Sequence, residues 1–257
     1  MDITPYDNKV HSVINARLGR IRKQLRSYCR SVVDSGDIDE LCAEFTSSVD
    51  GIIDDGVRGV WAVSDDLSGR MAEEAQERGH DKGKDIAAMS LVALLTFMSR
   101  KGRVTAGDVM KGLARQTRSA IGLVSGTVEE QARQMARFLE RPSEIARETN
   151  SRQPAVISNV RRHVVTEIAV AYRTAEHHAW QVLPFVVGQE IRPGKNHPVT
   201  DICDDLKGRY PKEFKFTGWH PWCRCFAHPL YSWDSEKVTD MPENYVSWAT
   251  AQKKRKK

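Results

Sequence analysis

The chain has 257 residues, 40% hydrophobic, 7% aromatic and 28% charged, a profile that favours helical assemblies over all-β proteins. Five scattered cysteines exclude the dense disulfide framework of a small secreted domain. The net charge of +5 conceals an asymmetry: residues 1–33 carry seven Lys or Arg against two Asp, residues 34–77 carry thirteen acids against Arg58 and Arg70, and the chain ends in KKRKK.

Val10, Ile14, Leu18, Ile21, Leu25, Cys29 and Val32 recur every three or four residues and predict a helix from Asp7 to Val33. DSGD punctuates it, and Leu41, Phe45, Val49, Val57 and Trp61 continue the period in an acidic helix, so a basic and an acidic helix should form an antiparallel hairpin. Gly51, Gly56 and Gly59 lower the helicity of the second member, through a close neighbouring backbone or a bend. Glu77 to Asp85 reads as a break. The apolar run from Ile86 to Met98 is shorter than the roughly 20 residues a membrane span needs, and reads as a buried helix. No secretory signal is expected from the polar opening MDITPYDNK. Helices follow at 105–118 and 127–140, the latter with Thr127 and Glu130 at capping-box spacing. Residues 141–154 read as a connection, 155–182 as a helix, FVVGQEI as a strand, CRCFAHPLY as a second strand, and the segment after Trp233 as polar.

Chemistry concentrates in GWHPWCRCFAHP, Gly218 to Pro229. On a strand, Cys223 and Cys225 would face the same side. With Cys203 and either His220 or His197 they would make the Cys3His set of a structural zinc site. The alternatives are cysteines packed as small hydrophobes, or a catalytic thiol with His220 as base. On the preceding helix, Glu167 is expected to pair with an arginine such as Arg173 or Arg224, and His177 and His178 to act as dipole partners at the helix end.

Together, RRHVVTEIAVAYRTAEHHAW, FVVGQEI and NHPVTDICDDLKGRYPKEFKFTGWHPWCRC resemble the phage Mu F-like head morphogenesis family, the minor capsid proteins of tailed phages and prophages. The matching positions are Arg162 (or Arg161), Thr166, Glu167, Tyr172 and Arg173 on the helix, then Cys203 and Asp204, then His220, Pro221, Cys223, Arg224 and Cys225. Val165 stands where the family pattern has the arginine of its Arg-Thr-Glu triplet. The resemblance covers about residues 155–230.

The resemblance implies a structural protein of the virion head, near the portal or capsid interior, made in the host cytoplasm and acting in assembly, DNA packaging or ejection. Its partners would be portal and capsid proteins and packaged DNA, with no membrane and no small-molecule substrate. It does not imply an enzyme. The expected fold is α-rich α+β: a helical assembly module at 1–150, a Mu F-like α+β module of a few strands closed by the Cys/His cluster at 151–232, and a polar tail with a basic end at 233–257. One structural zinc is the expected cofactor. Two rival readings are a transferase or nuclease using Glu167, Arg173 and His220, and a zinc-stabilised nucleic-acid module using Arg209, Lys212, Lys215 and Arg224.

Overall fold

The computed structural model describes residues 1–81, 90–100, 106–153, 155–194 and 200–255. His197, a possible metal ligand, and the last two residues of the basic tail lie outside them. The chain forms two compact units: Met1–His11 with Val57–Thr96 and Ile168–Lys257, and Ser12–Gly56 with Phe97–Glu167. Helices α1 (Thr4–Ser35), α2 (Ile38–Glu77), α3 (Leu91–Arg100) and α7 (Val156–Val182) contribute residues to both.

In the second unit, α1 and α2 form the expected antiparallel hairpin. Gly36 turns the chain at φ 75, and Arg17 meets Asp55 at 3.0 Å, with Arg20 on the same carboxylate. The exposed Arg20–Asp55 pair sets the register more than it stabilises, contributing about 0–1 kcal/mol. Stability comes from the apolar stripes: Ile21, Leu25, Cys29 and Val32 are buried, as are Cys42, Phe45, Val49 and Ile52. Cys29 and Cys42 are buried free thiols, and the Tyr28 hydroxyl lies 3.1 Å from Cys42 Sγ and 2.8 Å from Thr117 Oγ1. Gly51 has open space around it, so no close backbone requires it.

The apolar run expected as a buried helix is α3 (Leu91–Arg100), with residues 86–89 outside the described set. It is amphipathic rather than buried all round: Leu94 and Met98 are covered, whereas Val92 is 73% exposed. Then come α4 (Ala106–Ile121) and α5 (Val128–Glu140), the latter opened by the full Thr127–Glu130 capping box. The expected connection at 141–154 contains another helix, α6 (Pro142–Thr149). Pro142 fits its first turn, Glu144 receives Arg137 at 2.8 Å, Ile145 is buried, and Asn150 ends it at φ 50.

In the first unit, β1 (Val186–Arg192) is the centre of an antiparallel sheet of order β2-β1-β3, with β2 (Gly208–Tyr210) and β3 (Phe226–Tyr231) at its edges. The one-turn helix α8 (Ile202–Asp205) precedes β2. The core joins Leu67 and Met71 of α2, Trp180 of α7, Phe185, Ile191, Tyr210 and the three cysteines 203, 223 and 225. The segment expected as a polar tail contains α9 (Glu243–Arg255), whose Tyr245 and Trp248 join Tyr210, Phe214 and Trp219 in an aromatic cluster. Periodicity missed it because two rings, not an apolar stripe, dock the helix. No described helix is long and apolar enough to cross a membrane.

Candidate metal centre

Local hydrogen bonding places the first ligand. Asp201 caps α8: its Oδ1 accepts the Cys203 N–H at 2.7 Å, and the Asp204 carboxylate accepts the Asp201 N–H at 3.2 Å. This box fixes the one-turn helix and puts Cys203 fully inside.

The second and third ligands come from one turn. The Cys223 N–H donates to the His220 carbonyl at 3.1 Å, Pro221 occupies the second position, and Trp222 the third at φ 69. Proline followed by a left-handed residue is the pattern of a type II turn, although the third position normally takes glycine or asparagine. The turn brings a histidine and a cysteine three residues apart to one side. Strand alternation is not what groups Cys223 with Cys225, because β3 begins only at Phe226.

Cys203 Sγ is 3.8 Å from Cys223 Sγ and 3.1 Å from His220 Nε2, and the three ligand atoms lie within 4.8 Å of one another. Zinc–sulfur bonds of about 2.3 Å in a tetrahedron require an S–S edge of about 3.8 Å and an S–N edge of about 3.6 Å. The sulfurs already stand at that edge, and the imidazole nitrogen, 3.1 Å from Cys203 Sγ, would shift to complete the remaining edges. His220 Nδ1 is 2.8 Å from the Pro221 carbonyl oxygen. As donor there, it leaves the Nε2 lone pair facing Cys203, and such an outer hydrogen bond prepares a histidine for a metal. Cys225, expected as a ligand, is fully buried beside the site but outside the three-atom set.

The thiols divide into donor and acceptor. A hydrogen bond from Cys225, with the Arg173 charge nearby, lowers the Cys223 pKa, and the same bond pushes Cys225 upward. Burial, reinforced by the negative charge at Cys223, raises Cys203. A thiolate at Cys223 is the form that binds metal. On the solvent side, Asp201 Oδ2 is 3.3 Å from His220 Nε2, with the side chains 40% and 32% exposed. The ligand set thus has two buried sulfurs and an accessible rim.

Arg173 organises the loop. Its side chain is 4% exposed and donates to the carbonyls of Thr217 at 3.1 Å, Cys223 at 2.8 Å and Cys225 at 2.7 Å. It also lies over the Phe216 ring at 5.0 Å. The guanidinium anticipated as a partner of Glu167 is spent on backbone carbonyls. Glu167 lies 3.9 Å from His163, one turn earlier. Gly218, the first residue of the cysteine motif, has φ 110, and a Cβ there would stand 2.8 Å from Arg173 Nη1 and 3.3 Å from Cys223 Cβ. In the sequence, nothing but its place in a turn-rich stretch marks it.

The other anticipated residues have structural settings. The Thr166 hydroxyl donates to the Arg162 carbonyl at 2.7 Å. Tyr172 is 1% exposed and meets Phe226 edge-on at 6.2 Å, and Val165 is buried. The Arg224 carbonyl is approached so closely by Gly194 that a Cβ there would be 2.5 Å away. Lys212, expected to contact phosphates, donates to the Leu183 carbonyl at 2.7 Å. Burial lowers the pKa of both His177, to about 4, and His178, which opposes the cationic form expected at the helix end. No family model matches the chain, and neither curated proteins nor solved structures give a match.

Proposed function

We propose that the chain is a minor capsid protein of the Mu F-like type, a head morphogenesis protein of a tailed phage or prophage, in which a structural zinc braces the Cys/His loop. The observation that carries this reading is the convergence of Cys203, His220 and Cys223 within 4.8 Å. They lie in the family's order: helix, strand, acidic cysteine segment, closing His-Pro-x-Cys-Arg-Cys. Two thiolates and a neutral imidazole suit zinc over hard cations, which prefer oxygen. Cys225 is the nearest further sulfur and Asp201 the nearest carboxylate, so either completes a tetrahedron.

The role is architectural. Arg173, which the enzyme reading needs in a cleft, is committed to carbonyls, and the nucleic-acid reading loses Lys212 to Leu183. The long helices present their charged faces to portal and capsid subunits, in the virion head and earlier in the host cytoplasm, and the basic end of the chain faces packaged DNA.

Two experiments test the parts separately. Metal analysis of protein purified without chelator should find one zinc per chain, lost in Cys203→Ser together with Cys223→Ser; a metal-free protein with reduced cysteines would remove the zinc. Proteomics of virions, with sedimentation against portal particles, should place the protein in the particle. A salt-insensitive monomer that ignores portal rings at micromolar concentration would overturn the assembly role.

A further inference from the structure

Apart from the cysteine loop, the first unit contains a cleft of about 210 Å³ between the start of α1, the end of β1 and β3. Asp7, Asn8, His11, Arg192, Phe226 and His228 line it. His228 Nε2 is 3.1 Å from Asp7 Oδ2, and both side chains are largely covered, at 14% and 13% exposure. The second oxygen, Asp7 Oδ1, is buried without a hydrogen-bond partner, so the carboxylate offers the cleft little negative surface.

Asn8, His11 and Arg192 each carry an N–H donor. Asn8 and His11 make no side-chain hydrogen bond among the described residues, and the His11 ring is fixed edge-on against Phe226 at 5.1 Å. Arg192 is paired with Glu190 on its own strand, through Nε and one of its terminal nitrogens, which leaves the other for a ligand. Burial chiefly, then the charge of Arg224, lower the His11 pKa, with Asp7 opposing them. Asp7 is bound to His228 and Glu190 to Arg192, so the groups left to face the cleft include Asn8, the His11 ring and the remaining terminal nitrogen of Arg192. Such N–H donors suit an anion.

We propose that this cleft binds a phosphate ester, with Asn8, His11, Arg192 and His228 meeting the phosphate oxygens. Arginine and imidazole N–H groups are the usual partners of phosphate oxygens, and Asp7 holds His228 in place for that contact. An ester fits better than a bare ion because a second cavity, of about 220 Å³, meets the first at Arg192 and His228. Its wall combines Ile3, Leu230 and Tyr231 with Asp2, Asp234 and Ser235, a mixed surface that leaves room for the rest of the ligand. A small phosphomonoester and a nucleic-acid backbone share this chemistry. The site is separate from the cysteine loop and does not depend on metal there.

The test is a titration of the full chain, followed by the histidine ring carbon–proton NMR signals, with inorganic phosphate and with a short oligothymidine at matched ionic strength. His11 and His228 signals should shift saturably, and Arg192→Gln and His11→Ala should each weaken binding roughly tenfold or more, the loss of a charge-assisted hydrogen bond. Arg192 is more than half exposed, so Arg192→Gln remains informative if His11→Ala disturbs Phe226. Saturation by phosphate alone assigns the site to small esters; tighter oligothymidine binding lost in the same variants assigns it to a nucleic-acid backbone. Shifts that follow ionic strength, or that persist unchanged in Arg192→Gln, overturn the proposal. Metal chelation should leave the titration unchanged.

Discussion

Gly218 and Glu176 are single residues whose surroundings predict opposite effects of substitution. At Gly218 a methyl group would meet a guanidinium that three carbonyls already hold, on a backbone at φ 110 that L residues rarely adopt. Gly218→Ala should lower stability by about 2–4 kcal/mol, combining backbone strain and overpacking, and weaken zinc or cobalt binding; denaturant midpoints and metal titration check both. Glu176 is 2% exposed, and burial, against the opposing effect of Tyr172, raises its pKa well above the usual 4.5. The unfolded chain therefore releases this proton first. Stability from the group is full below the unfolded pKa and falls as pH rises above it. Glu176→Gln should be nearly neutral at pH 4 and stabilising at pH 8 by at least about 1 kcal/mol. Thermal melts at the two pH values decide it, and an equal effect at both would refute the buried neutral acid.

At the scale of elements, helix starts were legible where side chains cap the backbone: Thr127 with Glu130 announced α5 before any packing was known. The α6 helix was not, because one buried Ile145 and a proline-opened first turn leave no apolar period to detect. Gly19, Gly51 and Gly69 lie in α1 and α2, exposed and with nothing within 4 Å of where an added methyl group would stand. Alanine at each site should therefore add about 0.5–1 kcal/mol through helix propensity alone. A rise in melting temperature for the triple variant, without change in metal content, is the expected outcome. A loss would mean that a bend in these helices is needed.

For the molecule as a whole, the two units predict unequal responses to metal removal. The three ligand atoms all belong to the first unit, so chelation should speed hydrogen exchange in residues 200–231 and in the flanking strands, while residues 12–56 keep their protection. Uniform loss would show that the units unfold as one. The sequence by itself determined the α-rich α+β class, the basic–acidic hairpin and the grouping of the last three cysteines, because periodicity, charge and short spacings are local properties of the chain. Only the tertiary structure decided that Arg173 holds carbonyls and that Asp7 meets His228 across 221 residues. These depend on the packing of α1, α7 and the sheet, which brings distant groups together in ways that no local spacing records.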